Sequence, residues 1–121
     1  MTPLVLTSFT AVNALGRGTA AVLEALTAAR TGLKPCGFEK VQLETWVGQV
    51  AGLDDLRVCE RLAEFDCRNN RLAELALEQD GFAARIAEAR AKYGPRRIAV
   101  ILGTSTSGIL ETEHAYQQRD P

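Results

Sequence analysis

The sequence of 121 residues predicts an α/β fold, on three observations. A short run of strand formers opens the chain, a long stretch with apolar residues at helical spacing fills its centre, and an almost uninterrupted apolar run follows. A run of that last kind suits a strand covered on both faces of a parallel or mixed sheet. Two strands separated by helices can then lie side by side in one sheet.

Each element has a local cause. Leu4-Val5-Leu6-Thr7-Ser8-Phe9 lies between Pro3 and the loop residues Asn13, Gly16 and Gly18, so it reads as a strand leading into a loop. Thr19 can cap the following helix, its hydroxyl accepting from a free N–H of the first turn. That helix carries Val22, Leu23 and Leu26 on one stripe and ends near Gly32. Pro35, Gly37, Gly48 and Gly52 punctuate residues 34–56, which predicts an excursion of loops and short strands. Thr45-Trp46-Val47-Gly48-Gln49-Val50 is its clearest strand.

From Arg57 to Tyr93 the residues Leu62, Phe65, Leu72, Leu75, Phe82 and Ile86 recur at roughly helical spacing. Gly81 and the polar stretch Asp66 to Asn70 divide this region into successive helices. Gly94-Pro95 ends it. Arg97-Ile98-Ala99-Val100-Ile101-Leu102 is the second strand, and the loop Gly103 to Gly108 opens into a helix over 109–118. A sheet with only these two strands needs more strands and a second helical layer to cover it. Residues 1–121 are therefore expected to be one incomplete domain, with the natural product continuing past Asp120-Pro121.

Composition limits the function. With 46% hydrophobic and 24% charged residues the chain is a folding segment rather than a disordered one, and a net charge of −1 leaves no basic surplus for nucleic acid. There is no basic start with an apolar core region to make a secretory signal, and no apolar run nears the roughly 20 residues of a membrane helix. A cytoplasmic protein without membrane contact is expected. Cys36, Cys59 and Cys67 form no CxxC pair and read as packing thiols of a reducing compartment.

Gly103 and Gly108 have the glycine spacing of a phosphate-binding loop, but Ile109 and Leu110 stand where that loop needs Lys and Ser or Thr. Ser105 likewise occupies the second glycine of a dinucleotide fingerprint. No nucleotide or other cofactor is expected, and without a family context the glycine and hydroxyl residues simply make a tight turn. His114 is the one histidine, and Glu111 and Glu113 do not both share its helix face, so it reads as solvent-facing with no metal site. No Cys-His nucleophilic pair can be assembled. Arg68, Arg71, Asn69 and Asn70 read as a polar or capping turn, or as hydrogen-bonding groups at a subunit interface. Trp46 reads as a core or interface residue.

Taken in order, these features resemble the β-ketoacyl-acyl-carrier-protein synthases of the thiolase-like superfamily. That family starts with a strand and a glycine-bearing loop, as Leu4 to Gly18 here, then a helix ending in glycine, as Gly32, and an excursion with an aromatic, as Phe38 to Val50. A turn opening a long helix follows, similar to Asn69-Asn70-Arg71-Leu72-Ala73. The most specific likeness is Arg97 to Ile109, a strand and hydroxyl-rich glycine loop, although Ser105 and Ser107 replace usual glycines and Asn70 stands near a usual Asp. These departures suggest a divergent branch, such as synthases of aryl-polyene or related specialised fatty-acid pathways.

The resemblance implies the N-terminal part of a thiolase-like fold, in an enzyme that condenses a cysteine-bound acyl group with the carbanion from decarboxylated malonyl carrier protein. It implies an acyl carrier protein as partner, and a homodimer or a heterodimer with a related synthase. The family's catalytic cysteine and histidines match none of Cys36, Cys59, Cys67 or His114, and would lie downstream of Pro121. Only Thr106 matches a binding position, the residue between glycines that borders the acyl-chain pocket. A silent chain-length-factor-like subunit would share all these features. An unrelated α/β module binding a small anion at the Gly103–Gly108 loop is the third alternative.

Overall fold

A first helix, α1 (Thr19–Thr27), starts where Gly18 takes φ 87°, a conformation open to glycine at no steric cost. In this computed structural model, which describes residues 3–37, 42–104 and 107–119, α1 follows a tight hairpin of β1 (Val12–Asn13) and β2 (Gly16–Arg17). Gly18, not Thr19, is the N-cap of α1. The Asp80 carboxylate, 61 residues away, accepts the Thr19 N–H at 2.9 Å and the Thr19 hydroxyl at 3.0 Å. The helix stops earlier than the glycine signal predicts, because Ala29 turns left-handed at φ 50° and lets the Arg30 N–H reach the Ala25 carbonyl at 2.9 Å. Gly32 serves packing instead: a Cβ there would stand 2.5 Å from the Ala14 backbone.

β3 (Leu33–Pro35) and β4 (Trp46–Gly48) pair antiparallel, with Lys34 opposite Val47. The expected strand at 45–50 is thus real but short, and Trp46 is exposed on it rather than buried. A 3-10 segment (Glu60–Phe65) leads into α2 (Arg68–Leu77), a 3-10 turn (Gln79–Gly81), α3 (Phe82–Tyr93) and a last 3-10 turn (Pro95–Arg97). The breaks fall where the polar stretch, Gly81 and Gly94-Pro95 predicted them. α4 (Ile109–Gln117) closes the described chain.

The result is mixed α/β, with two two-stranded antiparallel sheets among the described residues. Among the described residues, the parallel or mixed sheet expected from the sequence is not formed. Residues 4–9 are irregular and Leu4 is fully exposed. Arg97 belongs to a 3-10 turn, while Val100, Ile101 and Leu102 stand 90, 95 and 85% exposed. Both predicted strands fail for one reason: a strand exists through hydrogen bonds to a neighbour, and no described segment lies beside either run.

The core is correspondingly small. Ala25, Leu53, Val58 and Leu75 are its buried apolar side chains, while Leu23 and Leu26 leave the α1 stripe open. A folded monomer of 13.1 kDa would expose roughly 6,400 Å². This chain exposes 10,565 Å². Among the described residues no helix is long and apolar enough to cross a membrane.

Candidate functional site: a cleft between β4, α2 and α4

The turn before α2 is braced by several hydrogen bonds and ion pairs. Asp66 receives the Arg71 Nε–H and an Nη–H at 2.7 Å each, a forked pair in which both side chains are mostly shielded. The Val58 N–H adds a bond at 3.3 Å, and Arg57 approaches at 3.7 Å. The Arg71 hydrogen bonds dominate over the cost of partial burial and hold the Asp66 carboxyl down to about 2. Asn70 donates from Nδ2 to the Phe65 carbonyl at 2.8 Å, and Arg68 pairs with Asp54. The expected polar turn is therefore present, but no side chain caps α2, and Arg68 and Arg71 are ion-paired within the chain.

This bracing fixes the first turn of α2 against the segment after β4. α4 arrives from the other side. Gly108 takes φ 82° as its N-cap, and the Thr112 N–H and hydroxyl both donate to the Gly108 carbonyl, at 3.0 and 3.1 Å.

Between the three elements lies a cleft of about 330 Å³. Val47, Val50, Leu53, Leu72, Ile109 and Leu110 give it apolar walls, and Gln49, Arg68, Asn69, Ser107 and Glu111 supply polar groups. Cys67 lines it too, as the extended residue before α2. Such a cleft can take an apolar chain of a few carbons with a polar end at the rim. Of its polar groups, Arg68 is committed to an ion pair with Asp54.

The structure thus brings together two motifs singled out in the sequence, the residues opening α2 and the end of the Gly103–Gly108 loop. Thr106, the one residue with an expected binding role, lies outside the described residues; Ser107, next to it, is on the cleft. Cys36, Cys59 and Cys67 are unbonded thiols. His114 is half-exposed, with Nδ1 3.9 Å from Glu111. Among the described residues no three His, Cys, Asp or Glu side chains gather as a metal-binding group.

Sequence reasoning missed the acidic anchors. Asp66 lies five residues before Arg71, a visible charge pair, but nothing local marks it as half-buried. Asp80 accepts the Thr10 hydroxyl at 2.8 Å as well as its bonds from Thr19, and these lower its pKa, led by the Thr19 N–H. Those partners are 61 and 70 residues distant. Comparison with known protein families, with curated proteins and with solved structures found no match.

Proposed function

We propose that this chain is the N-terminal part of a β-ketoacyl-acyl-carrier-protein synthase subunit, which joins an acyl thioester to malonyl carrier protein by decarboxylative condensation. The observation that carries the reading is the segment Arg97 to Ile109: an apolar strand-forming run, then a hydroxyl-rich glycine loop, then a helix start. Two features of the molecule support it. The run Val100–Leu102 stands open, as a strand does whose neighbours are supplied elsewhere in a larger sheet. The loop ends on a cleft with apolar walls, a fit for part of an acyl chain.

In this reading the chain supplies scaffold and part of the substrate-lining surface. The nucleophilic cysteine and the groups that stabilise the developing charge are supplied by sequence beyond residue 121. None of Cys36, Cys59 or Cys67 is assigned that role, since none stands at the family's cysteine position.

The test is a condensation assay on two proteins, the 121-residue chain and the product of the full reading frame that contains it. Each is mixed with acyl and malonyl carrier protein, and β-ketoacyl carrier protein is read by mass spectrometry. The expected result is product from the full-length protein and none from the short chain. Product only after adding an active synthase assigns the chain to a silent, chain-length-factor-like subunit. Product from the short chain, or none in any combination, overturns the proposal.

A further inference from the structure

We propose that Leu72, on α2, sets how far an acyl chain can run into the cleft between β4, α2 and α4. The inference rests on the proposed function and adds to it a specificity-determining residue on an element with no expected binding role.

The cleft is graded in depth. Asn69 from α2, with Ser107 and Glu111 from the α4 side, is exposed, and these three form the mouth. Val47, Val50 and Leu72 are half-buried farther in, and Leu53, 2% exposed, forms the floor. Helical spacing fixes this order on α2, because residues three apart share a face about one turn from each other. A polar mouth over an apolar interior suits a thioester chain that enters methyl end first and leaves its polar end at Asn69 and Ser107.

Leu72 is the wall best placed to act as a stop. The forked Asp66–Arg71 pair fixes the first turn of its helix, and Leu75, 5% exposed, anchors the next, so the backbone cannot readily retreat from a longer chain. Leu72 itself is only half-buried and lies outside the small core, so its side chain can be exchanged without opening that core. One methylene gained or lost in an apolar pocket changes discrimination between substrates by about 10- to 200-fold. Cys67 supplies a reporter: it immediately precedes α2 and lines the cleft, whereas Cys36 and Cys59 do not.

The test uses the full-length protein, alone or paired with an active synthase, whichever form condenses. Leu72→Ala should raise the kcat/KM ratio of tetradecanoyl to hexanoyl carrier protein about tenfold or more, and Leu72→Phe should lower it by a similar factor. A second readout needs no substitution at Leu72. In the parent protein loaded with each acyl chain, labelling of Cys67 by N-ethylmaleimide, resolved by peptide mass spectrometry, should slow as the chain lengthens, while Cys36 and Cys59 label at constant rates. Condensation with an unchanged length preference in either variant, or Cys67 labelling that does not depend on acyl length, would overturn the inference and leave the proposed function standing. No condensation in either form would overturn both.

Discussion

Two aspartates carry most of the specific polar structure. Asp66 is bound by Arg71 through two hydrogen bonds of 2.7 Å, and its carboxyl is held down to about 2, against an ordinary value near 3.9. A carboxylate whose folded pKa is depressed contributes stability above its unfolded value, and that contribution disappears as pH falls toward the folded value. Thermal denaturation of the chain between pH 4.5 and 2 should therefore show a falling midpoint. Asp66→Asn should start lower and lose much of that slope. Asp80 acts at longer range: its carboxylate replaces the missing side-chain cap of α1 and fixes Thr10 beside it. Asp80→Asn tolerates the left-handed φ of 55°, so a lower melting midpoint in that variant isolates the loss of charge-assisted bonds. For Thr106, whose role is proposed from the family likeness, Thr106→Phe in the full-length protein should narrow the range of acyl lengths accepted, as read from the product profile.

At the level of elements, the helices and the short strand β4 were legible in the sequence, and the two longer runs read as strands were not. Leu72 and Leu75 show a helical repeat on their own, and Gly81, Gly94 and Pro95 mark boundaries through backbone geometry that needs no partner. The run Ile98 to Leu102 has strand-forming side chains, yet a strand is a relation between two segments, and its other half is not written in the run itself. The pair β3 and β4 formed because its two halves are close in sequence, with only residues 36–45 between them. The cleft was half legible. The residues opening α2 and the Gly103–Gly108 loop were each conspicuous, but nothing in their spacing states that α4 packs near α2, and Asp80 reaches Thr19 only through the fold. The α2 packing has a direct test. Leu75 is 5% exposed and belongs to a core of few residues, so Leu75→Ala should cost about 2–5 kcal/mol and remove the cooperative thermal transition.

For the whole molecule the governing quantity is surface. Burial of apolar area is the main favourable contribution to folding, and this chain leaves its two most apolar runs, Leu4–Leu6 and Val100–Leu102, in water. On the proposed reading, these runs are sheet strands whose neighbours come from the rest of a larger sheet. Hydrogen exchange at the amides of residues 98–102 tests that claim most directly, measured on the dilute monomeric chain and on the full-length protein. The account predicts exchange at the rate of an unstructured peptide in the monomer and strong protection in the full-length protein. Slow exchange in the dilute monomer, or equally fast exchange in both, would contradict it.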